Sequence, residues 1–410
     1  MSENIKSNTL CVIPWIHVNI IPNGKVIHCC MNSDMEHIIG NLSSQSLEEI
    51  WNSDSIKAIR RQMLEGEKPK VCSKCYESEV SSGASIRLYH NKDFRLKLHE
   101  IPSITDEFGH VDKIDLRYWD FRFSNLCNFK CRTCCPEFSS TWVADARKMG
   151  WLTDQAAKKL LNVESVGDAS KIDFLKTYID QVEKIYFAGG EPLLMDEHWQ
   201  ILEMLDASKR YDVNITYNTN LSTLSHKNKN AIDYWKKWGR KVWLCPSIDE
   251  LDERAELIRH GTVWKEVQEN LRTVGSMDIR VRPNITVSAM NVFRLPEILH
   301  RLIDIGVIAK EPENWKNFSI NVVESPPHFH VSILPDEIRK KIRQRLDEYI
   351  AEYQRRYNAD IKYHLQHLFW HLEKPWNKDM MNRFTKFTKQ LDKLRNENTV
   401  DVIPELKEIL

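Results

Sequence analysis

Cys127, Cys131 and Cys134 fall within eight residues, in the spacing C-x3-C-x2-C, directly after a run rich in β-forming residues. Cysteine thiolates are the usual ligands of iron–sulfur cubes. Three of them on one loop leaving a strand can hold three corners of a cube while the fourth iron keeps no protein ligand. That gap matters, because structural metal sites are closed whereas catalytic ones keep a position for substrate. Buried or zinc-binding thiols are the alternative. A second group, Cys11, Cys29, Cys30, Cys72 and Cys75, lies in the first fifth of the chain; Cys135 adjoins the first group and Cys245 stands alone. In a reducing compartment such clusters are more often metal-binding or catalytic than disulfide-bonded.

The chain of 410 residues has room for two or three domains, or for one barrel with additions. Lys+Arg and Asp+Glu both number 58 and 28% of residues are charged, which argues against wholesale electrostatic capture of nucleic acid and against an acidic disordered chain. No window approaches the ~18 apolar residues of a membrane span. The start, MSENIKSN, has no secretory pattern. A soluble, cytoplasmic protein is expected.

The elements that must position the thiols are read as follows. CVIPWIHVNIIPNGKVIHCC reads as a hairpin turning at Pro22-Asn23-Gly24. LEEIWNSDSIKAIRRQML carries apolar residues at helical spacing. From about residue 112, six β-rich runs alternate with mostly helical stretches: Ile114–Phe123, Lys184–Ala188, Val213–Tyr217, Val242–Ser247, Ile279–Val287 and Phe318–Val323. The fold class expected is α/β, a partial (β/α)6 barrel, with an open doubly wound sheet as the alternative. The last part is helical, starting near Pro335-Asp336-Glu337, with Ile338, Ile342, Leu346, Tyr349, Ile350 and Tyr353 on one face. The expected divisions are a cysteine-rich domain over 1–92, a linker over 93–111, the barrel over 112–325 and a helical cap over 326–410. His364, His367 and His371 form a stripe that could bind metal, although a half-exposed helix face explains it as well.

The C-x3-C-x2-C segment resembles the cluster-binding motif of the radical S-adenosylmethionine (SAM) superfamily, in which a partial (β/α)6 barrel carries the motif after its first strand. That family places an aromatic residue just before the last cysteine; here it is Thr133. Ala188-Gly189-Gly190-Glu191-Pro192 is similar to the family's GGEP motif, which holds the methionyl amino group. Tyr217-Asn218-Thr219-Asn220 resembles its polar strand end near the ribose. Ser247-Ile248-Asp249 resembles its S-x-D motif, with Glu250 where Gly often follows. Arg259 and Asn291 are weaker matches. These positions all sit at carboxyl ends of expected strands, where barrel active sites are built. The second group, in the first fifth of the chain, resembles a shortened SPASM, or twitch, module that binds an auxiliary cluster. On that likeness Cys11, Cys29, Cys72 and Cys75 saturate a second cluster, with Cys30 spare or an alternative ligand; a four-cysteine zinc site remains the other reading.

The resemblance implies a [4Fe-4S] cluster that binds SAM, an auxiliary [4Fe-4S] cluster, reductive cleavage of SAM to a 5′-deoxyadenosyl radical, and hydrogen abstraction from a peptide or small-molecule substrate. A reductant such as flavodoxin or ferredoxin is implied as partner. The auxiliary cluster would accept an electron if the product is oxidised, and Asp120, Asp249 and Glu250 are candidate bases at the barrel mouth. The aromatic C-terminal helices either line a substrate pocket or, more ordinarily, pack together. An RNA-modifying enzyme of the same family and a non-catalytic iron–sulfur or zinc protein are the alternatives; no RNA-binding module is recognisable.

Overall fold

The computed structural model describes residues 8–22, 24–32, 37–161, 169–308, 318–358 and 360–410. Two compact units divide the chain: Met1–Ser124, Val163–Gly189 and Met195–Ile215 form the first, and Asn125–Asn162, Gly190–Leu194 and Thr216–Leu410 the second.

In the first unit, β1 (His17–Ile20) and β2 (Lys25–Ile27) form the expected hairpin, with Asn19 opposite Ile27; Asn23 of its turn lies outside the described residues. β3 (Gly40–Asn41) adds to β2. β4 (Tyr118–Phe121) and β5 (Lys184–Phe187) are parallel neighbours. β1 pairs in parallel with β4, so the hairpin and the first two barrel strands share one sheet, in the order β5-β4-β1-β2-β3. Period-two alternation then sorts the side chains. Val18, Trp119 and Ile185 stand in register, as do Ile20, Phe121 and Phe187, all six apolar and buried. The opposite face carries Asn19, Asp120 and Tyr186 in register. A sheet buried on both faces is normally apolar on both; this polar row is the exception that calls for a use.

The helical run expected over residues 47–64 is two helices, Leu47–Trp51 and Asp54–Leu64. The first has a capping box between Ser46 and Glu49. The break falls at Asn52, whose side-chain oxygen accepts from Arg60 and from the Val111 amide while its nitrogen donates to the Val111 carbonyl. Of the helix expected around residues 164–183, residues 164–168 lie outside the described residues, and Ala169–Tyr178 is a 3-10 run.

β6 (Asn214–Thr219) leads into the second unit. There a small unforeseen hairpin, β7 (Ser225–His226) with β8 (Lys229–Asn230), is followed by β9 (Val242–Pro246), β10 (Arg280–Val281), β11 (Asn284–Val287) and β12 (Ser319–Val322). The order β10-β9-β6 is sequential, and β11 pairs in parallel with β12. Among the barrel strands the order follows the chain, β4 beside β5 in the first unit and β6, β9 and β10 in succession in the second, with no reversal among them, as a partial barrel requires and a doubly wound sheet does not. The fifth expected strand is split into β10 and β11 at Arg282-Pro283, because proline has no amide to donate to the ladder. The C-terminal helices are Asp336–Tyr357, Lys362–Leu372 and Lys378–Arg395. Tyr349, Tyr353, Phe369 and Phe384 are buried in packing, whereas Tyr363, Trp370 and Trp376 are exposed. No helix among the described residues is long and apolar enough to cross a membrane.

Candidate active site

The three-cysteine loop is irregular backbone, so its shape must be imposed from outside. The Lys130 and Arg132 amides donate to the His260 and Ile258 carbonyls, both at 2.8 Å, which pins the loop to the chain on either side of Arg259. Trp142 Nε1 donates to the Cys131 carbonyl at 2.7 Å. Arg132, between two of the cysteines, is fully buried and pairs with Asp392 and Glu397, and Glu397 also holds His260. Lys130 and Arg395 both pair with Asp145. Residues at the end of the chain thus fix the loop. The signal that could have announced them was a charged residue inside a cluster loop, which needs a counter-charge once buried.

Burial pushes the Cys127 thiol up to about 12 and raises Cys131, while the hydrogen bond with the Cys135 thiol, and burial after it, raises Cys134. The Arg259 guanidinium opposes this at Cys131 and Cys127, favouring thiolate there. Arg259 is itself placed by Asp249, 2.8 Å away, and lies over the Phe129 ring at 5.9 Å. Asp249 also accepts from the Thr286 amide at 2.9 Å, and Asn291 donates to the Asp249 carbonyl at 2.6 Å and the Thr286 carbonyl at 2.9 Å. Asn291 therefore braces the Asp249 segment. Asp249 is committed to Arg259 rather than standing free as a base.

Glu191 is fully buried and close by in bonding terms: its carboxylate accepts from the Thr219 hydroxyl and the Asn220 amide, each at 2.7 Å, and from the Leu193 amide at 3.2 Å. Burial raises its pKa. The Asn220 side chain donates to Asn128, within the cysteine loop, at 2.9 Å. Thr219 lies inside the strand-end motif, which does not announce its bond to Glu191. Asn218 accepts from Asn284 at 3.1 Å, and Ser247, bridged to Asn284, donates its amide to the Thr219 carbonyl at 2.9 Å. Pro192 opens a buried 3-10 turn. Gly189 has φ +112°, and Gly190 lies where a Cβ would stand 2.1 Å from the Leu126 carbonyl oxygen, next to Cys127. The Glu191 amide donates to that same oxygen at 2.7 Å. The second unit thus brings Cys127, Cys131, Cys134, Gly190, Glu191, Asn220, Asp249 and Arg259 into one bonded system.

In the first unit, Cys11, Cys29, Cys72 and Cys75 line one small pocket with His28 and Arg87. Cys30 is exposed and does not line it. His28 Nε2 stands 3.4 Å from Cys72 Sγ, a contact that no motif announced. Burial pushes Cys11 up to about 12 and raises Cys72. Four soft donors in an apolar pocket suit a cluster closed by protein. Asp120, at 0% exposure, accepts from Asn19 at 2.5 Å and pairs with Arg122 at 3.4 Å; burial raises its pKa.

Glu250 is not brought to the cysteine loop. One carboxylate oxygen accepts from the Leu251 amide at 2.6 Å, and Arg294 stands 3.5 Å from the other. Burial raises it to about 7. A carboxyl whose folded pKa lies above its unfolded value loses stability as pH rises from about 4.5 to about 7. Glu250→Gln is therefore expected to match the native chain near pH 5 and to exceed it by about 3 kcal/mol above pH 8, since each pKa unit is worth about 1.4 kcal/mol. Anaerobic thermal unfolding of both chains from pH 5 to 8.5 checks this; parallel curves would show that Glu250 is not strained by burial.

A three-thiolate loop beside a buried Glu and an Arg–Asp pair at strand ends has the donors to hold an iron–sulfur cube at three corners. Comparison with known proteins agrees: residues 121–297 match the Radical SAM superfamily, and residues 11–76 match SPASM, an iron–sulfur cluster-binding domain. The chain carries a radical SAM domain over residues 121–297 and a SPASM-like domain ahead of it, with a SAM-binding [4Fe-4S] cluster, an auxiliary cluster and SAM as cofactors. It is 26% identical over 218 residues to GTP 3′,8-cyclase of Aliarcobacter butzleri, covering 52% of this chain and 59% of that one, so it spans less than two thirds of that relative. It is 25% identical over 79 residues to S-adenosyl-L-methionine-dependent 2-deoxy-scyllo-inosamine dehydrogenase of Niallia circulans, covering 19% and 32% of the two chains. Streptococcus suis SuiB bound to S-adenosylmethionine aligns with a TM-score of 0.38 at 14% identity, over 84% of this chain and 71% of that one.

Proposed function

We propose that this chain is a radical SAM oxidoreductase in which Cys127, Cys131 and Cys134 hold the SAM-binding [4Fe-4S] cluster, Cys11, Cys29, Cys72 and Cys75 hold the auxiliary [4Fe-4S] cluster, and a polar small molecule or a peptide is the substrate. When bound, the cluster and SAM supply a one-electron cleavage that gives a 5′-deoxyadenosyl radical able to take a hydrogen atom from unactivated carbon. The protein's part is orientation. Gly189 and Gly190 let backbone approach a ligand where a side chain would collide. Glu191, in its cage of Thr219, Asn220 and Leu193 donors, presents a fixed negative site for an ammonium, and Arg259 offers a fixed positive one for a carboxylate. Asp120, held by Asn19 and Arg122 on the polar sheet face, is the candidate for taking a proton from an oxidised substrate. That polar face, and the polar small molecules named for the two curated relatives, favour a polar small-molecule substrate over a peptide. A flavodoxin- or ferredoxin-type reductant would supply the electron.

The observation that carries this reading is the separate grouping of the thiols, three on one bonded loop in the second unit and four in one pocket of the first. Iron counting after anaerobic reconstitution tests it. About eight irons per chain are expected, since each cube holds four. Cys29→Ala is expected to lose about four of them and Cys30→Ala none, because only Cys29 shares the pocket. Loss on replacing Cys30 alone would overturn the ligand assignment, and a colourless reconstituted chain would overturn the whole reading.

A further inference from the structure

We propose that Glu324, His367 and His371 form a third metal site, for a divalent transition-metal ion of zinc type, which ties the segment after β12 to the C-terminal helix Lys362–Leu372. His367 and His371 stand four residues apart and so share one helix face. Their Nε2 atoms are 3.1 Å apart, and Glu324 Oε1 lies 3.6 Å from His371 Nε2. All three donor atoms fall within 4.8 Å of one another. Ligands held about 2.0–2.1 Å from zinc at tetrahedral corners stand roughly 3.3 Å apart, so a single ion fits with only small side-chain adjustments. The donor set, two imidazoles and a carboxylate, suits zinc and its neighbours rather than calcium or magnesium. Three protein ligands leave a fourth position to water.

What raises this above a chance surface grouping is the support behind His371. That ring is fully buried, and its Nδ1 lies 2.6 Å from His330 Nε2. A metal-bound imidazole generally donates its other N–H to a fixed acceptor, which sets the ring's tautomer and orientation. With His371 binding through Nε2, its proton sits on Nδ1 and is donated to His330 Nε2. The His330 proton then sits on Nδ1, where Ser332 Oγ at 2.7 Å accepts it, in place of the hydrogen bond that the Ser332 amide makes to Nδ1 at 3.0 Å. The change is a shift of tautomer and releases no proton. His367 and Glu324 are exposed, which gives the ion its entry, and the Trp370 ring stacks on His367 at 6.1 Å and 17°. This site uses none of the cysteines and does not depend on the proposed reaction.

The test is zinc titration of the anaerobic holoprotein with both clusters assembled, followed by desalting, elemental analysis and X-ray absorption at the zinc edge. About one zinc per chain in a nitrogen and oxygen environment is expected, with a rise in thermal unfolding temperature. The exposed-site variants His367→Ala and Glu324→Ala should lose both the zinc and the rise while keeping their iron. No retained zinc in the native chain, zinc bound through sulfur, or equal retention by both variants would overturn the proposal.

Discussion

Cys131→Ala is expected to lose reductant-dependent formation of 5′-deoxyadenosine from SAM, a fall on the order of a thousandfold or more, and about four of its irons with it. The reason lies in what the loop keeps. The Trp142 bond to the residue-131 carbonyl and the backbone bonds to His260 and Ile258 do not involve the thiol, so the loop retains its anchors. What disappears is one of three donors, along with the thiolate that the Arg259 charge favours. A cube held at two corners is not retained. The four thiols of the first unit are untouched, and the variant should stay brown with about four irons. Full activity in this variant would mean that Cys135 or another group is the third ligand.

Gly190→Ala is the second large effect, and its cause is space alone. An added Cβ would stand 2.1 Å from the Leu126 oxygen and 2.8 Å from the Asn125 carbonyl carbon, and backbone cannot swing aside as a flexible side chain can. Relief requires moving the Glu191 turn off the segment that precedes Cys127, breaking the 2.7 Å bond from the Glu191 amide to Leu126. Overpacking of this kind costs about 1–3 kcal/mol or more. The functional loss should be larger than the stability loss. Glu191 and Cys127 would shift relative to each other, and a displacement of about 1 Å is worth on the order of a hundredfold in rate. Measurement of 5′-deoxyadenosine formation beside thermal unfolding separates the two. Native activity in this variant would show that the close approach of the two segments is not needed.

The parts of the molecule that sequence could reveal are those set by local rules. The thiol spacing and the alternation of β-rich runs with helical stretches located the cysteine loop and all six barrel strands, because side-chain period and turn chemistry act over a few residues. The expected run Ile279–Val287 contains Pro283 and is two strands, β10 and β11, divided there. The break at Asn52 depends on Arg60 and Val111, the second 59 residues away, and is not written in the helix itself. Arg132 bonds to Glu397 across 265 residues, and no local pattern encodes such a pair. The histidine stripe was read as three equivalent residues. Only the folded chain separates His364, which packs on Phe318, from His367 and His371, and brings His330 and Glu324 to them. Asp120 looked like a strand-end carboxylate, and its partner Asn19 became apparent only when β1 was found alongside β4.

The open iron that we propose at the Cys127, Cys131 and Cys134 loop can be tested directly by electron paramagnetic resonance. In the Cys72→Ala, Cys75→Ala chain, reduced anaerobically, the signal of the remaining cluster should change shape and g values on addition of SAM, since the amino and carboxylate groups would enter its coordination sphere. A fully assembled, reduced cluster whose spectrum is unaltered by saturating SAM would contradict an open iron at this loop.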